Sequence, residues 1–182
     1  MIYGKRVRLR GVERSDLPQF QQWLNDPEVT DGLSIYLPLS TIDEEHWFDE
    51  ASQRQQAEKP LSMEVKQGHS WRLIGNIGFF NLEWNTRCAE FGIFIGDKAV
   101  WNKGYGTEAV QLLLRHGFET LNLHRIYLRV YSTNPRAKRS YEKAGFVLEG
   151  TMRDAVYRHG KYADMHIMSI LREEWESPAE GK

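Results

Sequence analysis

The chain has 182 residues, of which 41% are hydrophobic and 27% charged, and its net charge is −1 at pH 7. That length suits one compact core, and the composition is that of a globular chain rather than a disordered one. With the charges balanced there is no global attraction for nucleic acid or anionic lipid, so any basic site has to be local.

No run approaches the roughly 18 consecutive apolar residues of a membrane helix. The opening MIYGKRVRLRGV carries no continuous apolar segment of the kind a secretory signal needs, so the cytoplasm is the expected location. Cys88 is the single cysteine, which rules out a disulfide within the chain and reads as an inert core thiol. His46, His69, His116, His124, His159 and His166 are scattered without a His-x-x-x-His pair, and no metal site is expected.

Val7 and Leu9 alternate with arginines as a first strand, and Ser15 or Asp16 can cap a helix carrying Leu17, Phe20, Trp23 and Leu24. Residues 25–40, with Pro27, Gly32 and Pro38, form a long connection able to shape a pocket. Thr41-Ile-Asp-Glu44 has the spacing of a capping box, predicting a second helix there. Leu61–Val65 and Leu73–Trp84 read as strands around a turn at Gly68, and Ala89–Ile95 as a third strand of this block.

Beyond the stretch WNKGYGTEA, Val110, Leu114, Phe118 and Leu121 keep helical spacing from Thr107 to about Leu121, and Arg125–Val130 reads as a buried strand. Asn134-Pro135 is a helix start and Gly145 a helix stop. Strands are predicted at Phe146–Arg153 and Tyr162–Leu171, with a frayed tail from about Ser177. The expected organisation is one domain over 1–176 with a disordered tail at 177–182, of mixed α and β type.

The stretch Trp101–Thr107 combines Gly104, Gly106 and Lys103 at the start of a helix, where free main-chain N–H groups and the helix dipole favour an anion. Neither a Walker loop nor a complete dinucleotide fingerprint is present, since Ala109 stands where a third glycine would fall and Glu108 would face a pyrophosphate. On these residues alone, a diphosphate cradle and a tight strand-to-helix turn both remain open.

WNKGYGTEA resembles the pyrophosphate loop of the GNAT acetyltransferase superfamily, Gln/Arg-x-x-Gly-x-Gly/Ala, with Trp101 in place of the usual Gln or Arg. Tryptophan there is a feature of the branch of ribosomal-protein N-terminal acetyltransferases. NLHRIYLRVYSTNPRAKRSYEKAGFVLEG, residues 122–150, is similar to the second half of that domain in the RimJ/RimL-like and spermidine N-acetyltransferase groups. The opening RLRGVERSDLPQFQQWLNDPEV resembles the same branch, so the likeness spans most of the chain.

The resemblance implies a GNAT fold: a mostly antiparallel mixed sheet of six to seven strands, splayed at the cofactor site and flanked by about four helices. It implies acetyl-CoA as donor and direct transfer to a primary amine, expected to be a protein N-terminus or a polyamine. The alternatives are another small amine, including an antibiotic, and a catalytically silent acyl-CoA sensor. A homodimer is the expected assembly.

Residue by residue, it places acetyl-CoA against Ile93, Phe94, Ile95, the loop Trp101, Asn102, Lys103, Gly104, Tyr105, Gly106 and Thr107, and Asn134, Arg136, Ala137 and Tyr141. Tyr141 matches the acid that protonates the departing thiolate, although its stripe with Ala137 and Ala144 also fits a core aromatic. Glu90, the one ionisable group in CAEFGIFI, is the candidate base, with a positional role as the alternative. Arg136, Lys138 and Arg139 form a local basic cluster that meets adenosine phosphates or simply faces water. A polyamine acceptor requires converging carboxylates, with Asp43, Glu44, Glu45, Glu83 and Glu90 available.

Overall fold

The computed structural model describes residues 1–176, so the tail expected at 177–182 lies outside the described residues. In chain order the elements are β1 (Ile2–Tyr3), β2 (Val7–Gly11), α1 (Leu17–Leu24), α2 (Pro27–Thr30), α3 (Thr41–Gln53), β3 (Leu61–Gln67), β4 (Ser70–Glu83) and β5 (Cys88–Ile95). They continue with α4 (Tyr105–Arg115), β6 (Arg125–Tyr131), α5 (Pro135–Lys143), β7 (Val147–Arg158), β8 (Lys161–Leu171) and α6 (Arg172–Glu176).

The strands form one sheet in the order β1-β2-β3-β4-β5-β6-β8-β7, antiparallel except for the β5–β6 pair. Eight strands replace the six to seven expected, because the two-residue β1 is too short to leave a period-2 signal. None of the described helices is long and apolar enough to cross a membrane.

Strand alternation divides the sheet into two chemically different faces. Val7, Leu9, Met63, Val65, Ile77, Phe79, Phe91, Ile126, Leu128 and Val130 belong to the core, together with Val110, Leu113 and Leu114 of α4. The alternate residues face α1 and α3, where Phe20 of α1 meets Phe94 of β5 edge-on at 5.5 Å and Trp47 of α3 at 6.2 Å.

Part of that second face is ionic. Arg10 grips Asp16 through two bonds of 2.7 and 2.8 Å and also reaches Glu64 at 3.0 Å, while the Ser62 hydroxyl donates to Asp16 at 2.7 Å. Burial alone would raise the Asp16 carboxyl, but Arg10, the Glu13 amide and Ser62 together hold it below its ordinary value. Asp16 thus occupies the residue before α1, as expected, yet its side chain serves this network and does not cap the helix.

Two boundaries differ from the sequence expectation. The capping box of α3 is Ser40 with Asp43, one residue earlier than predicted, because both Ser40 and Thr41 stand three residues before an acid. The helix predicted to run to about Leu121 keeps α geometry only to Arg115 and widens into a π turn over His116–Thr120.

Candidate active site

β5 pairs with β6 only through Cys88↔Arg125, Ala89↔Ile126 and Glu90↔Tyr127, while it stays paired with β4 as far as Ile95. β6 instead follows β8 to Tyr131. Beyond Glu90 the two strands diverge and open a slot through the sheet, bordered on one side by Phe91–Ile95. At its neck the alternation sends Phe91 to the α4–α5 face and Glu90 to the α1–α3 face.

On the α4–α5 face the loop after β5 is held by its own side chains. The Trp101 indole donates to the Ile95 carbonyl at 2.9 Å, and the Arg136 guanidinium lies 3.9 Å from the centre of the Trp101 ring. The Ile95 carbonyl, expected to face cofactor, is therefore engaged within the chain. Burial lowers the Arg136 guanidinium from its usual value. Lys138 is drawn away to Glu142.

The loop then takes left-handed turns at Asn102 (φ 61°) and Gly104 (φ 81°) to enter α4 at Tyr105, two residues before the predicted start. No side chain among the described residues caps this helix. Its first-turn N–H groups accordingly have no intrahelical acceptor and point out of the helix start. A Cβ added to Gly106 would crowd Ile95 Cδ1 at 3.1 Å, whereas one at Gly104 would make only ordinary contact with Arg6 at 3.5 Å, so Gly104 is called for by its positive φ rather than by space.

Glu108 does not face that cradle. Its carboxylate accepts the main-chain amides of Arg6 (2.7 Å) and Val7 (3.1 Å) and the Arg6 Nε at 2.9 Å. Burial pushes this carboxyl up, but the three donors outweigh it and hold it below its ordinary value. Arg6 in turn donates to the Lys103 carbonyl at 3.2 Å and stacks on Tyr105 at 4.8 Å, buttressing the loop from the residue before β2. Sequence reading missed Arg6, whose partner lies 102 residues away.

α5 begins where Asn134 accepts the Ala137 amide at 3.1 Å, so the Asn134 carbonyl oxygen and the Ala137 N–H satisfy each other. Tyr141, two turns on, is partly buried, edge-on to Phe91 at 5.7 Å and near Phe146 at 6.1 Å. Burial pushes its phenol up to about 12, so it is a protonated donor throughout the neutral range.

On the opposite face Glu90 is only 3% exposed and fully engaged. Arg129 binds it with Nε at 2.7 Å and Nη2 at 3.2 Å, and Asn81 donates at 3.1 Å. Arg129, the partner of the candidate base, is not singled out by the sequence, although Arg125, Tyr127 and Arg129 alternate in RIYLRVY on one face. The other carboxylates do not join Glu90: Asp43 completes its capping box, Glu45 pairs with Arg14, and Glu83 accepts the Thr86 hydroxyl. Glu44 is 4% exposed, its carboxylate has no hydrogen-bond or ion-pair partner among the described residues, and burial raises it.

Residues 6–147 match the family model described as acetyltransferase (GNAT) domain. The chain belongs to the GNAT acetyltransferase family. It is 31% identical over 177 residues to the spermidine N(1)-acetyltransferase of Vibrio cholerae, an alignment covering 97% of this chain and 99% of that one. It is 36% identical over 104 residues to the putative ribosomal N-acetyltransferase YdaF of Bacillus subtilis, covering 57% and 56% of the two chains. Among solved structures, spermidine N-acetyltransferase from Vibrio cholerae in complex with CoA and spermine superposes with a TM-score of 0.86 at 29% identity, covering 95% of this chain and 99% of that one.

This GNAT chain is thus an acetyl-CoA-dependent N-acetyltransferase. Among the described residues no group of His, Cys, Asp and Glu is arranged to hold a metal ion.

Proposed function

We propose that the acceptor is the free α-amine of a protein or peptide, reaching the thioester from the Glu90 face. Acetyl-CoA supplies an activated acetyl group; the main chain at 103–107 holds its diphosphate, with Arg136 and Lys103 as neighbouring cations. Tyr141 stands on the same face to donate to the thiolate as the carbon–sulfur bond breaks. Glu90, set by Arg129 and Asn81, is the group toward which the amine proton departs, directly or through a water.

The observation that carries the acceptor class is the Glu90–Arg129 pair. A polyamine brings several positive charges and calls for surplus negative charge, whereas here the carboxylate at the slot is neutralised by a guanidinium and Asp43, Glu45 and Glu83 are engaged elsewhere, which leaves the buried Glu44 alone of the five candidates. Tyr36 (64% exposed), Leu37 (77%) and Ile42 (66%) line the connection and the start of α3, a surface suited to apolar side chains following a peptide amine. The second reading, a polyamine acceptor, draws on the likeness to the Vibrio cholerae enzyme over nearly the whole chain.

An acceptor panel decides between them: short peptides with free N-termini, spermidine and an aminoglycoside, each with acetyl-CoA and read by thiol release. The expected result is the highest kcat/KM with a peptide. A higher value for spermidine overturns the peptide assignment. Saturable acetyl-CoA binding without turnover of any amine would return the chain to the sensor class.

A further inference from the structure

The 25–40 connection, apart from α2, has no regular structure, yet residues 31–36 are fixed from three sides. The Ser34 hydroxyl lies 2.9 Å from the Tyr131 hydroxyl at the end of β6. Gly32 packs so closely on Asn134 that an added Cβ would stand 2.5 Å from its Nδ2. The third and most extensive hold comes from Arg158, the last residue of β7: its Nη2 donates to the carbonyls of Leu33 and Ile35, the latter at 3.1 Å, and its guanidinium stacks 4.8 Å from the Tyr36 ring centre.

Alternation along β6 places Tyr127, Arg129 and Tyr131 on one face, and Arg129 holds Glu90. The segment joined to Tyr131 through Ser34 therefore sits on the same face as Glu90, beside the open end of the slot. One Arg158 nitrogen meets the carbonyls of Leu33 and Ile35 while the flat guanidinium stacks on the Tyr36 ring, a planar stacking that a lysine ammonium lacks. Its Nε–H is buried without an acceptor, so the side chain keeps this place despite one unmet donor.

We infer that Arg158 is a positioning residue for the acceptor: by strapping residues 31–36 to the β7–β8 hairpin, it fixes the wall against which the amine substrate is placed, without touching the acetyl-CoA cradle. The inference rests on acetyl transfer from the Glu90 face but not on which amine is used. Exposed His159, 2.7 Å from Asp31, adds a screened surface pair to the same strap.

The test compares wild type, Arg158→Ala and Arg158→Lys by amide hydrogen exchange and by steady-state kinetics with the panel amine that turns over fastest. In Arg158→Ala, exchange at residues 32–36 should rise at least tenfold while residues 103–107 keep their wild-type rates. The acceptor KM should rise about tenfold with the acetyl-CoA KM unchanged, and Arg158→Lys should recover part of both effects. Unchanged exchange at 32–36 overturns the strap. Faster exchange with an unchanged acceptor KM overturns the wall, and a parallel rise in both KM values assigns Arg158 a merely structural role. Should wild type turn over no amine, the transferase reading fails separately, and the exchange rates alone still decide the strap.

Discussion

The hydroxyls of Thr107 and Ser140 lie 2.8 Å apart and join the first turn of α4 to the turn of α5 that carries Tyr141. One bond thus couples the start of the proposed diphosphate cradle to the residue beside the proposed acid. Removing either hydroxyl should cost about 1 kcal/mol, or roughly a fivefold loss of kcat/KM for acetyl-CoA. In a double-mutant cycle, Thr107→Ala and Ser140→Ala should lose no more together than either loses alone. Fully additive losses would mean that the bond does not link the two sites.

Tyr141→Phe keeps the ring between Phe91 and Phe146 and deletes only the hydroxyl. Acetyl-CoA should bind with wild-type affinity by calorimetry while kcat falls roughly 10²-fold, the size expected for loss of general-acid catalysis. With the wild-type phenol pushed up to about 12, its proton is retained below that value, so the wild-type rate should show no loss attributable to Tyr141 between pH 7 and pH 10. Turnover of the phenylalanine variant at the wild-type rate would remove Tyr141 from the chemistry.

At Gly104 the backbone sits at φ 81°, a conformation that costs a β-branched residue about 1–3 kcal/mol. Gly104→Val should therefore distort the cradle and weaken acetyl-CoA binding by roughly tenfold or more, with the far-ultraviolet circular dichroism of the folded protein retained. Wild-type affinity in such a folded variant would show that the left-handed turn is not needed for the cofactor.

Two glutamates should move stability in opposite directions with pH. Glu149 is gripped by both Arg125 nitrogens and by Ser169, and these bonds bring its carboxyl down to about 2 from an ordinary 4.5. Because the folded value is depressed, its contribution is complete above about pH 4.5 and disappears as pH falls toward 2. Arg125→Met should accordingly raise the midpoint of acid unfolding. Glu44 is raised by burial, with the neighbouring Asp43 charge adding to it, so its contribution is complete below the ordinary carboxylate value and is lost as pH climbs through the folded one. Glu44→Gln should then melt higher than wild type at pH 7 and level with it at pH 4. Thermal melts followed by circular dichroism at pH 7 and pH 4 check the Glu44 prediction, and an acid titration followed by the same signal down to about pH 2 checks the Glu149 one.

The parts of the fold that local chemistry specifies were legible in advance. α5 runs between a capping asparagine and Gly145 at φ 101°, so its two ends are written in single residues. α4 begins two residues before the start its sequence predicts, because its N-cap is a glycine with no side-chain signal. The roles proposed for the glycine loop and Tyr141 come from family likeness rather than from periodicity. What stayed hidden was pairing: a sequence displays the charges of Glu108, Glu90 and Arg158 but not their partners Arg6, Arg129 and the Leu33 and Ile35 carbonyls, which chain topology alone brings near. Glu90 therefore read as a lone ionisable group in an apolar strand when it is half of a bidentate ion pair.

Glu90 and Phe91 are neighbours in sequence, yet they look out from opposite sides of the sheet at the neck of the divergence between β5 and β6. A single peptide unit is thus the partition between two otherwise separate workshops. With the amine and the thioester on the faces proposed above, substitutions that reshape amine choice on one side need not disturb thioester handling on the other, which gives such a scaffold room to change clients.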